Sequence, residues 1–215
     1  MMDERKQTEK SEALQESLPE NAAAAEKKED KSSSKLEIYD WVQCILAALV
    51  AGVLIFLFVG RIIGVDGSSM VPTLHNGDKV VVSRLFYTPK NGDIVVLQTG
   101  TFGGDPLVKR VIAVGGQTVN IDFEQGLVYV DGNLLEEAYT NAPTRDREDF
   151  RGEITVPDGC VFVMGDNRNA STDSRSDRVG MVDNRRILGK VYWILIPGAE
   201  NGEGPDWSRI GSVYR

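Results

Sequence analysis

Residues 41–60 read WVQCILAALVAGVLIFLFVG, twenty residues with a single polar side chain, Gln43. At 1.5 Å of rise per residue, a helix of that length covers about 30 Å, the thickness of the hydrocarbon core of a bilayer. Asp40 and Arg61 bracket the segment. A secretory leader has an apolar region of roughly 7–15 residues followed by small residues at a cleavage site. This segment is longer and closes on the bulky run IFLFVG, which predicts an uncleaved membrane anchor. The competing reading is a helix buried in a protein core. Residues 21–40 carry Lys27, Lys28, Lys31 and Lys35, whereas residues 61–80 carry Arg61 and Lys79. Cationic side chains favour the cytoplasmic side, so the amino-terminal tail is expected in the cytoplasm and the bulk of the chain outside.

The flanks differ sharply. Residues 1–40 hold seven Lys/Arg and eleven Asp/Glu, with Leu14, Leu18, Leu36 and Ile38 as the only bulky aliphatics. Such a segment cannot bury enough apolar area to offset its ordering entropy and reads as a disordered tail. Residues 61–215 are long enough for one core of ordinary size or a core plus a small insertion. The formal net charge of −8, with no basic stripe, argues against a nucleic-acid binder. Cys44 lies in the apolar segment and Cys160 far along the chain, so no disulfide framework is implied.

Beyond residue 65 the pattern becomes short apolar runs cut by Gly, Asp and Asn. KVVVSRL (79–85), DIVVLQT (93–99), VKRVIAV (108–114), TVNIDF (118–123), GLVYVDG (126–132), CVFVMG (160–165) and GKVYWILIP (189–197) read as strands. They are rich in β-branched residues and bounded by turn formers. Asp131-Gly132 is a two-residue hairpin signal. Apart from the apolar segment no long 3.6-residue period appears. The expected fold is mainly β, many short strands with a small β insertion at about 117–157. Residues 134–153 are polar and irregular and read as a surface excursion.

Three segments carry chemistry. DGSSM (66–70) sets two hydroxyls side by side on a glycine-led turn, but a serine is a poor nucleophile until a base takes its proton. The single histidine, His75, sits in the loop TLHNGD only six residues after Ser69 and reads as a loop residue. Lysine is the alternative base. Lys79, Lys90 and Lys190 flank turns and read as solvated. Lys109 lies in the apolar run LVKRVIAV. Facing inward, it would be desolvated beside Arg110, and lowering its pKa from about 10.4 to about 8 would correspond to roughly 3 kcal/mol. Facing outward, it would be an ordinary lysine on the wet side of a half-buried strand, and composition leaves both open. GDNRNASTDSR (165–175) packs two acids, two arginines and two asparagines into eleven residues, a density expected of a loop held by its own hydrogen bonds.

Together, GSSMVPTLHNGDKVVVSR, VKRVIAVGG and MGDNRNASTDSR, in that order, resemble the type I signal peptidases, specifically their small single-pass bacterial form. The resemblance spans about residues 41–197. It implies that Ser69 is the nucleophile and Lys109 the general base. It further implies that Ser171 hydrogen-bonds the lysine amine, that Asp173 and Arg175 shape the loop, and that Asp166 pairs with Arg110. The oxyanion would be held by the Ser69 N–H, at a site where Gly67 replaces the hydroxyl of some members. Met70, Leu74 and Val108 become candidates to line shallow pockets for small substrate side chains. The implied substrates are the signal peptides of exported preproteins, cut at the outer membrane face against lipid, without metal or cofactor. Ser69 lies nine residues past the apolar segment, at most about 30 Å of extended chain. A self-cleaving Ser-Lys repressor would carry a DNA-binding segment and no anchor. A membrane-tethered β-rich binding module, or an inactive relative, remains the alternative to a peptidase.

Overall fold

The computed structural model describes residues 38–54, 60–98, 100, 104–199 and 204–214. The chain divides into two compact units, residues 1–54 and 55–215. In the first, residues 38–54 form a helix whose apolar side chains are exposed all round, Trp41, Ile45, Leu49 and Val53 among them. Among the described residues no helix is long and apolar enough to cross a membrane, and positions 55–59 of the expected anchor lie outside them. The expected disordered tail lies outside the described residues up to position 37.

The second unit is mainly β. Its strands in chain order are β1 (Arg61–Gly64), β2 (Lys79–Ser83), β3 (Ile94–Gln98), β4 (Pro106–Val114), β5 (Thr118–Asp122), β6 (Leu127–Val130), β7 (Asn133–Leu134), β8 (Ile154–Thr155), β9 (Cys160–Met164), β10 (Val182–Asp183), β11 (Ile187–Ile196) and β12 (Gly211–Ser212). The larger sheet runs β1-β2-β11-β3-β4-β9-β10, with β12 added to β11, and the smaller runs β7-β6-β5-β8. All seven expected strands are present, and β1 and four two-residue strands join them. The Asp131-Gly132 hairpin forms as expected: both residues have positive φ, 52° and 76°, and Tyr129 pairs with Leu134 across the turn.

The larger sheet is covered on both sides. Val80, Val82, Ile94, Val96, Val108 and Val191 pack into one apolar cluster, and Val95, Leu97, Val111, Val161 and Val163 into another. This explains why β3 and β4 read as near-continuous apolar runs: with both faces buried, every second position has no water to meet. The smaller sheet packs Val119, Ile121, Val128 and Val130 with Phe150, Phe162 and Ile112 into a third cluster. Phe150 meets Phe162 edge-on with ring centroids 6.0 Å apart. β4 therefore sits where all three clusters meet, and a charged side chain on it has little access to solvent.

Candidate active site

The turn after β1 is closed by backbone bonds, Val65 N–H to Asp78 O and Gly77 N–H to Val65 O, each 2.8 Å. Gly67 has φ +88°, which a side chain would strain, and its N–H donates to Asn76 Oδ1 at 2.8 Å. That N–H is thus engaged by the Asn76 side chain. Met70 and Leu74 are 1% and 0% exposed and belong to the same cluster as Val108, at 9%. The structure places Met70 and Leu74, expected to line substrate pockets, in the apolar cluster beneath the turn. Both are drawn under the sheet, because an apolar side chain on so short a turn gains most by joining the nearest core. They hold the turn down from below and leave Ser69 half-buried at its crest.

Lys109 meets Ser69 there. Its Nζ donates to Ser69 Oγ at 2.7 Å, and the residue is 3% exposed. Burial is the main cause that lowers its pKa from 10.5 to about 8. Asp173, and more weakly Glu148 and Asp166, pull the other way, while Arg175 pushes with the burial. Nothing among the described residues forms an ion pair with the amine. A dry amine with a lowered pKa, one hydrogen bond from a hydroxyl, can take the hydroxyl proton.

Alternation along β4 sends Arg110 to the opposite side. Its Nε and Nη2 bond Asp166 Oδ1 and Oδ2 at 2.8 and 2.6 Å, its Nη1 bonds Gly92 O at 2.9 Å, and its guanidinium stands 3.9 Å from the centre of the Tyr139 ring. Thr73, four residues after Ser69, donates from its hydroxyl to Asp166 Oδ2 at 2.5 Å. The Ser69–Leu74 turn and β4 thus share one carboxylate.

Residues 165–175 form the wall behind. Arg175 binds Asp173 through Nε and Nη2, both at 2.8 Å, and Asp173 Oδ2 also accepts the Gly165 N–H at 2.9 Å. Ser171 differs from expectation: its hydroxyl donates to Asp173 Oδ2 at 3.0 Å and makes no bond to the lysine amine. The hydroxyl's single proton goes to the buried carboxylate, a strong charged acceptor. Gly165 is wedged between the two hydroxyl-bearing segments. A Cβ there would lie 2.5 Å from both the Ser69 carbonyl oxygen and Ser171 Cβ.

One further expectation changes. Lys190 is not solvated; it pairs with the buried Asp93 at 2.5 Å. Residues 134–153 are irregular and mostly at the surface, as expected, but tied down. Thr144 and Phe150 are buried, Glu137 pairs with Arg168, and the Asp146 carbonyl accepts from Arg175 at 2.6 Å. Asn167 was not singled out by sequence, yet it touches the Ser68–Ser69 turn twice, its N–H donating to Ser69 O at 3.0 Å and its Nδ2 to Ser68 O at 3.2 Å, while its Oδ1 accepts from Asn141. Asparagine is so common in turns that no local signal marks this one.

The sequence model described as "Signal peptidase, peptidase S26" matches residues 38–196. Signal peptidase I of Bacillus licheniformis is 35% identical over 181 residues, covering 79% of this chain and 95% of that protein. The probable signal peptidase I-1 of Synechocystis sp. is 36% identical over 181 residues, covering 80% and 86%. Signal peptidase I S of Bacillus subtilis is 35% identical over 184 residues, covering 79% and 95%. A crystal structure of a signal peptidase I from Enterococcus faecalis V583 is 29% identical and covers 48% of this chain and 97% of that one, with a TM-score of 0.39. This chain belongs to the signal peptidase family, peptidase S26.

Proposed function

We propose that this chain is a serine endopeptidase that removes N-terminal signal peptides from exported preproteins, with Ser69 as nucleophile and Lys109 as general base. The observation that carries this reading is the 2.7 Å bond between a buried amine and a half-buried hydroxyl. Neutral Lys109 takes the Ser69 proton as Oγ attacks the carbonyl carbon at the signal junction. The resulting oxyanion meets the Ser69 N–H, which has no acceptor among the described residues. The lysine ammonium then gives its proton to the leaving amine, and the neutral amine activates water to hydrolyse the acyl-serine.

The substrate strand has a place to lie. β9 ends at Met164 opposite Arg110, so Pro106–Lys109 of β4 keeps an open edge on that side, beside Ser69. An extended peptide can add to such an edge through main-chain bonds. The apolar stretch 41–60 anchors the protein in the membrane, with Lys27, Lys28, Lys31 and Lys35 holding the amino side in the cytoplasm and the peptidase unit outside. The exposed apolar surface of helix 38–54 supports that placement, since such a surface belongs in lipid or against a partner.

The test is cleavage of a preprotein by the full chain in detergent. The wild type is expected to cleave, Ser69→Ala and Lys109→Ala to be inactive, and Ser68→Ala to keep most of the activity. The opposite ranking of the two serines would move the nucleophile to Ser68.

A further inference from the structure

We propose that Asn167 is a positioning residue that orients the oxyanion donor, and that Asn141 sets the orientation of Asn167. The proposal rests on the reading in which Ser69 is the nucleophile and its own N–H receives the oxyanion.

The Ser68 carbonyl and the Ser69 N–H are the two ends of one planar peptide group. Whatever holds the oxygen therefore aims the hydrogen. Two donors hold it: Asn167 Nδ2 and the Val71 N–H, each at 3.2 Å. They also draw electron density toward the oxygen, which makes the opposite N–H a better donor. The next peptide group along is held too, by the Asn167 N–H on Ser69 O at 3.0 Å. One residue thus fixes the peptide planes on both sides of the Ser69 Cα.

The side chain must face one way for this to work. Ser68 O only accepts, so the Asn167 amide must present its NH2 group to it, leaving Oδ1 free to accept. Asn141 Nδ2 fills that role at 3.0 Å. Asn141 is kept in reach because Asn169 ties down the segment that follows it: Nδ2 donates to Pro143 O at 3.0 Å, and Oδ1 accepts the N–H groups of Arg145 and Asp146 at 2.8 and 3.0 Å. The order of action runs from the insertion to Asn141, to Asn167, to the Ser68–Ser69 peptide.

The test compares wild type, Ser69→Ala, Asn141→Ala, Asn167→Ala and the double variant, as full chains in detergent. The readouts are kcat and KM on a signal-peptide substrate, inhibition by a peptide aldehyde that forms a hemiacetal with the serine, and binding of the carboxylate product peptide of the same sequence. Asn167→Ala is expected to lower kcat about tenfold to a hundredfold, less than outright loss of an oxyanion donor, with KM within about twofold. Aldehyde inhibition should weaken in step with kcat while product binding holds. Asn141→Ala, at an exposed position that leaves the core untouched, should lose about threefold to tenfold, and the double variant should be no worse than Asn167→Ala alone, because the first acts through the second. Unchanged kcat in both single variants, equal weakening of aldehyde and product, or multiplicative losses in the double variant would each overturn the proposal. If Ser69→Ala still cleaves, the nucleophile assignment itself falls; if it is dead while both asparagine variants match wild type, only this inference does.

Discussion

Lys109 and Arg110 are consecutive residues of one strand, both buried, and the protein treats them in opposite ways. Arg110 receives a carboxylate on two nitrogens, a carbonyl on the third and an aromatic ring against its face. Lys109 receives one serine hydroxyl. A buried cation is tolerable if it is paired or if it gives up its proton. Guanidinium cannot do the second, so it is paired, and the pairing with Asp166 keeps its pKa above the usual arginine value despite burial. The lysine is left without a counter-ion among the described residues, and burial takes its pKa down to about 8. On one side β4 holds a paired charge; on the other it holds an amine whose proton is easily lost.

The sharpest break of this contrast is Lys109→Arg. The new side chain keeps the charge and nearly the length but stays protonated at any working pH. Preprotein cleavage is expected to fall on the order of 10²–10⁴-fold, the range attributed to positioned proton transfer. In the wild type, kcat/KM should rise with pH through a midpoint of about 8, and His75→Ala should leave that midpoint in place. A midpoint near the histidine range that disappears with His75 would assign the base elsewhere.

The opposite side breaks differently. Asp166→Ala would leave Arg110 buried with its carboxylate gone and would also free the Thr73 hydroxyl. Removing one partner of a buried pair typically costs about 3–5 kcal/mol, so a large loss of stability is expected in denaturant melts. Arg110 and Asp166 removed together, as Arg110→Met with Asp166→Ala, should recover part of that loss. A fully additive double variant would mean that the pair does not act as a unit.

How much of this was readable in sequence depends on the range of each interaction. The strands over 79–85, 93–99 and 160–165 were legible because β-branched runs end at turn residues a few positions away. β1 was not, because Arg61–Gly64 continues an apolar stretch and carries no boundary of its own. Lys190 read as solvated because its partner Asp93 is 97 residues distant. Residues 134–153 read as an excursion because their ties come from Arg168, Asn169 and Arg175, in a loop that follows much later. For Lys109, composition left the inward and outward readings both open, since a run buried on both faces has no polar alternation to set direction. The resemblance of the three motifs singled out Ser69 and Lys109; it could not foretell that Ser171 turns to Asp173.

Stability against pH separates the two cations in a second way. A lysine whose folded pKa lies below its unfolded value binds fewer protons folded than unfolded between the two. Its burial therefore costs stability in full below about pH 8, and the cost fades as pH rises toward 10.5. The size is about 3 kcal/mol at neutral pH. Lys109→Met should accordingly be inactive yet more stable than wild type at pH 7, with the difference shrinking between pH 8 and pH 10.5. A difference that stayed flat over that window would mean the amine is not desolvated.

The smallest expected effect tests the seam between the two sides. Gly165 abuts the Ser69 carbonyl and is followed directly by Asp166, so it touches the partner of each cation. Its φ is not in the left-handed region, so Gly165→Ala meets a steric obstacle rather than backbone strain. The obstacle is the Ser69 main chain and the Ser171 side chain. Displacing a nucleophile by a fraction of an ångström to an ångström can cost up to about 10²-fold, so a loss of tenfold to a hundredfold in kcat/KM is expected. Arg110 keeps its bidentate hold on Asp166, and the melting midpoint should move less than in Asp166→Ala. Gly189→Ala is the control: its Cβ would meet the Ser83 backbone at 2.7 Å, between β11 and β2, with no Ser69 atom among its nearest neighbours, so it should lower stability without lowering the activity of the folded fraction. If Gly165→Ala behaves like Gly189→Ala, the loop fixes the sheet rather than the serine, and the contrast between β4's two sides narrows to charge alone.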